Sequence, residues 1–413
     1  MSMPNRDTTF RYIGIAAGAL LIFGLGGWYL FISRQTTDLE NADVARGFAI
    51  GVPSFSGSRG STAENIAVGF GAAPATEAAE TEAKRPPRLW RVNTTPVAGM
   101  GFVSSGSTTM LRYIERSTGH IFDADPETGS VVRRTNRLIP KVYEAYAGKD
   151  DSIIARTQGD DGSVDTFSGK LGTTTVDGFV PLLGADLGPG ITDIAFFGAD
   201  EAVFLASRDG TTQLVRSRLD GSKPELLVSL PGGDFELSTL VDNRIVLTTR
   251  AASGIPGYSY EVGKGGVLSP FARATAGLTT LPRASSTALL IGTDTGHRLS
   301  LSLKASKDAA ASMLPIQTVA EKCVWAPGIS LIAYCAVPKT ADTNFLTNWY
   351  RGKIHTTDTW FEVDGSAGKA ESFFETGTDD AIDVERPMMD AQGDYIAFMS
   401  ARDKSLWILR IIE

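Results

Sequence analysis

The sequence predicts an all-β fold, a β-propeller of seven blades, and three observations predict it. From Leu89 onward, short β-branched and aromatic runs alternate with turn dipeptides such as Asp161-Gly162, Asp209-Gly210, Asp220-Gly221, Pro231-Gly232 and Asp364-Gly365. That is the grammar of strands and hairpins, and long amphipathic helices are missing. The third observation is a repeat. Segments opening at Ala202, Arg244, Ala288, Leu331 and Tyr395 align as equivalent strands, 42, 44, 43 and 64 residues apart. A period of about 40 to 45 residues with four strands per unit is the signature of propeller blades.

The long fourth spacing points to an insertion at Lys339 to Ile354, and Leu111 to Phe122 and Ser152 to Phe167 supply two more hairpins upstream. Seven units fit residues 89–413; six blades or a pair of β-sandwiches is the alternative. The last unit offers three strands, from Arg386, Tyr395 and Leu406 onward, and Leu89 to Val92 is expected to supply its fourth and close the ring. Ile194 to Phe197 and Leu406 to Ile412 carry apolar residues on both parities, as strands buried on both faces do.

Ahead of this domain, Tyr12 to Ser33 runs without a charge between Arg11 and Arg34. At about 1.5 Å rise per residue such a helix reaches roughly 33 Å, enough to cross a hydrocarbon core of about 30 Å. A cleaved signal has a shorter apolar core and a small-residue cleavage site, so an uncleaved single-pass anchor is expected, with Trp28 and Tyr29 at the interface. Residues 1–11 form a short head, expected on the cytoplasmic side, and 34–88, rich in Ala, Gly, Ser, Thr and Glu, read as a flexible linker; a small helical unit near Thr76 to Ala83 is the alternative. Gly14 and Gly18 have the spacing of a close helix pair, a pattern common in membrane helices generally.

Flanking charges tie, Arg6 and Arg11 against Arg34 and Arg46, so the cysteines carry the orientation. If Cys323 pairs across from Cys335, the turn centres on Ile329 within Pro327 to Ser330, and Trp325 faces Ala333. Cross-strand neighbours lie within disulfide reach, so this pair predicts a disulfide and a cell-membrane protein whose C-terminal domain is extracytoplasmic. Two buried free thiols are the alternative.

Function is less legible. A net charge of −8 without a basic run argues against nucleic acid. Asp123 to Gly129 begins like a calcium loop but has Thr128 where glycine is required and Arg134 where a bidentate Glu is required, so a hairpin with Asp accepting backbone hydrogen bonds is expected. His120, His297 and His355 have no metal-ligand spacing, and motifs for a nucleophile elbow, a phosphate loop and a dinucleotide fold are missing. No catalytic residue, metal or cofactor is therefore assigned. The insertion gathers Phe345, Trp349, Tyr350 and Arg351, the expected partner-binding loop; the alternative folds these aromatics over their own blade.

Tyr395-Ile396-Ala397-Phe398-Met399-Ser400-Ala401-Arg402-Asp403 followed by Leu406-Trp407 resembles the TolB-type, WD-like propeller repeat, and Phe204 to Gly210 repeats the form. The wider pattern, Arg112 to Glu115, Gly119 to Ile121, Cys323 to Trp325, Tyr334 to Pro338 and Trp349 to Gly352, is similar to membrane-anchored propellers of candidate-phylum bacteria. That resemblance implies an envelope location and no particular activity. The expected role is a non-enzymatic binding or scaffold module for an envelope protein or glycan. A propeller enzyme acting on glycans or peptides through channel carboxylates is the alternative.

Overall fold

The computed structural model describes residues 85–412 apart from 107, 241 and 377–380. The head, the span Tyr12–Ser33 and nearly all of the linker lie outside the described residues. Among the described residues no helix is long and apolar enough to cross a membrane.

Seven four-stranded antiparallel sheets are present, one per blade, as the repeat predicts. After β1 (Leu89–Asn93), blade one is β2 (Val97–Ser105), β3 (Thr108–Glu115), β4 (Ile121–Ala124) and β5 (Val131–Arg133). Blade two is β6 (Val142–Ala147), β7 (Ser152–Gln158), β8 (Val164–Leu171) and β9 (Leu182–Asp186), and blade three is β10 (Ile191–Phe197), β11 (Glu201–Arg208), β12 (Thr211–Arg218) and β13 (Glu225–Pro231). Blade four is β14 (Phe235–Thr239), β15 (Ile245–Thr249), β16 (Pro256–Val262) and β17 (Leu268–Ala276); blade five is β18 (Thr279–Pro282), β19 (Leu289–Asp294), β20 (Leu299–Lys304) and β21 (Ala311–Met313). Blade six is β22 (Cys323–Trp325), β23 (Ile332–Pro338), β24 (Asp358–Asp364) and β25 (Lys369–Glu375), with helix α1 (Phe345–Tyr350) between its second and third strands. Blade seven is β26 (Val384–Met389), β27 (Tyr395–Ser400), β28 (Leu406–Arg410) and the returning β1, whose Leu89 pairs with Leu409 and Trp90 with Ile408.

Local chemistry explains the grammar. In the β11–β12 hairpin, Arg208 pairs with Thr211, and Asp209 and Gly210 both have positive φ, 47° and 75°. That is the turn whose twist matches paired strands, and Asp-Gly is its preferred sequence. Strands of neighbouring blades then bury their apolar faces against each other. Ala397, Met399, Leu406 and Ile408 of blade seven pack on Val97, Met100, Leu111 and Tyr113 of blade one, and Val203, Leu205 and Leu214 of blade three on Ile245 and Leu247 of blade four. Near the axis the backbones nearly touch: a Cβ on Gly99 would lie 1.8 Å from the Ala145 carbonyl oxygen, so only glycine fits there.

Cys323 and Cys335 form a disulfide, Cα atoms 4.0 Å apart, in the expected register, with Trp325 opposite Ala333. Closing a loop of this size contributes about 3 kcal/mol in the chain-entropy account. Asp125 takes the turn role expected of it, its Oδ1 accepting the backbone N–H groups of Glu127 and Thr128 at 2.8 and 3.3 Å. The insertion lies between β23 and β24.

Candidate functional site

The innermost strand of every blade starts at the same end of the ring, and the loops between second and third strands reach that end too. Together they wall a cavity of about 730 Å³ at the channel mouth. Residues from blades two to seven line it, among them Glu144, Asp193, Glu236, Glu321 and Arg386, with Trp349, Tyr350 and His355 from the blade-six insertion. The opposite mouth is a cavity of about 630 Å³ walled mainly by apolar side chains, including Phe102, Phe196, Leu240, Met388 and Met389. Titratable chemistry is concentrated at the first mouth.

The insertion presents its residues unequally. Phe345 is 1% exposed and packs with Ala251, Leu299, Val319 and Leu346, so it anchors α1 to the neighbouring blade. Asp294 of blade five accepts the Leu346 N–H at 2.9 Å, and the Ser253 hydroxyl accepts that of Thr347 at 3.1 Å, which fixes the helix start. Trp349 is half-buried, stacked on Phe345, and its Nε1 donates to Asp383 at 3.0 Å. Tyr350, 37% exposed, stands at the cavity and donates its hydroxyl to Glu321. Arg351 is exposed and does not line the cavity.

Beneath this lip lies a fully buried ion cluster. The Lys322 ammonium donates to Asp383 at 2.6 Å, Asp358 at 2.7 Å, the Val384 carbonyl at 2.9 Å and the Thr356 hydroxyl at 3.1 Å, and it sits 4.7 Å from the centre of the Trp349 ring. Burial pushes the Asp383 carboxyl up, but Lys322 and its hydrogen bonds win and hold it below the ordinary carboxylate value. Asp383 also meets His355 Nδ1 at 3.2 Å, so one carboxylate fixes both the histidine and the tryptophan at the mouth.

Two corners of the mouth differ in charge balance. At one, Glu144 receives Arg156 at 2.5 Å, Arg386 and the Tyr146 hydroxyl at 2.9 Å. Burial raises its pKa, yet Arg386 and Arg156 overcome that and hold it at about 2. At the other, Asp234, Glu236 and Glu321 have Arg250 as nearby cation, with its Nε 3.3 Å from Asp234 and 3.9 Å from Glu236. Enclosure by the channel walls and then the charge of Glu321 push Glu236 up to about 8, although its side chain is 38% exposed to channel water. Burial likewise raises Glu321 and Asp193.

This gives a signed expectation. Glu236 binds its proton more tightly folded than unfolded, so its contribution to stability is complete below about 4.5 and is lost as pH rises towards 8. Glu236→Gln is expected to flatten the fall in melting temperature between about pH 5 and 8. Thermal scans of both chains across that window check it; parallel curves would refute it.

Arg386 is held unusually. It has φ of 50° inside β26, where the register slips between Glu385 and Met388, and Pro387 follows it, a neighbour that ordinarily forces extended backbone. The other non-glycine residues of positive φ among the described residues lie in turns or at element ends. Such conformations cost about 1 to 3 kcal/mol and persist where surrounding structure imposes them. Sequence reasoning reached Trp349 and Tyr350 but missed Glu144, Asp193, Glu236, Glu321, Lys322 and Arg386. The signal available is positional: an acid stands near the start of the innermost strand in blades two, three, four, six and seven.

No protein-family model matches the sequence. No curated protein sequence matches it either. Solved structures similar to the chain include YCF48 from Cyanidioschyzon merolae, 9% identical over 78% of this chain and 98% of that one, with a TM-score of 0.50. An oligogalacturonate lyase in complex with manganese is 9% identical over 79% of this chain and 93% of that one, also at 0.50. TolB from Acinetobacter baumannii is similar over 71% of this chain and 60% of its own, at 10% identity and a TM-score of 0.39. What the chain shares with such proteins is the fold, a β-propeller, here of seven blades.

Proposed function

We propose that this chain is a membrane-anchored, extracytoplasmic propeller of the cell envelope that binds an envelope protein or glycan at the charged channel mouth, without catalysis. The observation that carries the reading is the mouth: an open cavity of about 730 Å³, built from six blades, with Tyr350 and Trp349 on its lip. The uncharged run Tyr12–Ser33 supports the anchor, and the Cys323–Cys335 disulfide supports an oxidising compartment. Glu144, the most firmly ionised carboxylate there, already accepts from three donors, which suits a fixed binding wall better than a nucleophile or base.

One observation favours an enzyme acting on glycans or peptides instead: Glu236 and Glu144 have pKa values driven apart by their surroundings, the pattern of an acid and an ionised partner. Photocrosslinking in native membranes separates the readings. A photoreactive residue in place of Tyr350 is expected to capture one discrete species, and the same residue in place of Phe102, at the opposite mouth, is not. Tyr350→Ala in a chain crosslinked from Gly352 should lower capture about tenfold with the melting temperature nearly unchanged. Capture only from position 102 would defeat the proposal, and conversion of the captured species, abolished by Glu236→Gln, would favour the enzyme.

A further inference from the structure

We infer that Arg386 is the anchor for the carboxylate of a peptide C-terminus entering the channel mouth. The inference rests on the mouth being the binding site and names what binds there. Glu144, on blade two, is already matched by Arg156 at 2.5 Å and by Tyr146 at 2.9 Å. Arg386 reaches it from blade seven as a second guanidinium, so two fixed positive charges face one negative charge. Of the other charges near this corner, Glu321 is within electrostatic reach of Arg386 but accepts the Tyr350 hydroxyl and is pushed towards its neutral form by burial. Lys404 and Glu385 neutralise each other at 2.7 Å, and Asp193 is occupied by the backbone N–H groups of Leu237 and Ile194 and is pushed towards its neutral form by burial.

The Arg386 side chain is also poised for a ligand. It is 45% exposed, its guanidinium lies 5.5 Å from the centre of the Tyr146 ring, and among the described residues Glu144 is its hydrogen-bond partner, through Nη2. Nε and Nη1 have no hydrogen-bond partner among the described residues. A guanidinium with two adjacent donors binds a carboxylate bidentately, a geometry that a lysine cannot reproduce. A structural bridge to Glu144 needs no left-handed residue ahead of a proline, whereas the bulge at Glu385–Met388 turns the side chain towards the cavity.

A peptide end fits the rest of the mouth better than an acidic sugar does. The same mouth holds Glu236, a carboxyl able to donate as well as accept, and Glu321, which accepts the Tyr350 hydroxyl, and a peptide brings both backbone N–H and C=O groups behind its terminal carboxylate to meet them. Pentapeptides immobilised by their N-termini, as free acids and as C-terminal amides, test this against the full chain. The wild type is expected to retain a subset of the acids and none of the matching amides. Arg386→Gln should weaken that retention at least tenfold, and Arg386→Lys, keeping the charge without the fork, should fall between.

Thermal scans identify any variant that fails to fold, and Arg386→Lys then carries the comparison. Equal retention of amides, or undiminished binding by a folded Arg386→Gln chain, overturns the anchor while leaving the mouth as a binding site. Retention of no peptide, with glucuronic acid displacing the species crosslinked at position 350, overturns the peptide in favour of an acidic sugar. If crosslinking at position 350 also captures nothing, the reading of the mouth falls with it.

Discussion

Lys322→Met is expected to cost about 3 to 5 kcal/mol, because removing one partner from a fully buried ion cluster strands the others. Lys322, Asp358 and Asp383 side chains are each 0% exposed, so no water replaces the lost ammonium. With an unfolding entropy of about 2.1 cal/mol/K per residue over some 325 residues, the loss is a fall of about 4 to 7 °C in melting temperature. The pH dependence has a definite sign. In the wild type Asp383 titrates below its ordinary value, so its contribution to stability is present above that value and is lost as pH falls through the folded pKa. Without Lys322, burial, the leading influence on Asp383, is opposed only by the remaining hydrogen bonds such as that from Thr356 and pushes the carboxyl up relative to the wild type, so the variant's deficit should be largest near neutrality and shrink in acid. Calorimetry from about pH 4 to 8 checks both parts. A deficit under about 1 °C, or one that grows in acid, would show that the cluster contributes little.

The same cluster shows where sequence reasoning stops. Blade strands repeat at nearly constant spacing because each unit solves the same packing problem, so the segments opening at Ala202, Arg244, Ala288, Leu331 and Tyr395 are recognisable as equivalent, and each opens within, or one residue before, a second strand. The cysteine register was legible for a similar reason: a turn centre and two numbers fix every pair between β22 and β23. The mouth has no such local code. Its groups come one or two per blade from positions separated by whole blades, and Arg386 and Glu144 meet across 242 residues. Nothing in Glu385-Arg386-Pro387 distinguishes a bulge that redirects an arginine from an ordinary strand start. In the insertion, Phe345 and Trp349 have the same aromatic character, and only the docked helix decides that the first is core and the second reaches the ion cluster. Repetition made the scaffold readable, and breaks in repetition hold the candidate site.

Removing β1 is expected to have the largest effect on the fold, since it opens the ring. A chain starting at Thr94 loses the fourth strand of blade seven and leaves β28 as an unpaired edge beside the apolar surfaces of blades six, seven and one. Leu89 and Trp90, both half-buried, pack into the clusters on either side of that sheet, each contributing a part of the roughly 1.5 to 3 kcal/mol that full burial of a large apolar side chain provides. Arg88 adds hydrogen bonds at 3.1 Å to the carbonyls of Arg410 and Ile411, and Arg91 an ion pair to Asp403 at 3.0 Å. Together with the strand's own ladder this loss is comparable with the whole stability of a domain, about 5 to 15 kcal/mol. The Thr94 chain should therefore aggregate or lack a cooperative thermal transition, whereas a chain starting at Arg85 should melt as the full chain does. A synthetic peptide covering residues 85–95 should restore the transition of the shortened chain in a concentration-dependent way, because a strand added in trans satisfies the same edge at the cost of association. A Thr94 chain that melts cooperatively within a few degrees of the longer one would mean that blade seven holds with three strands and that ring closure contributes little.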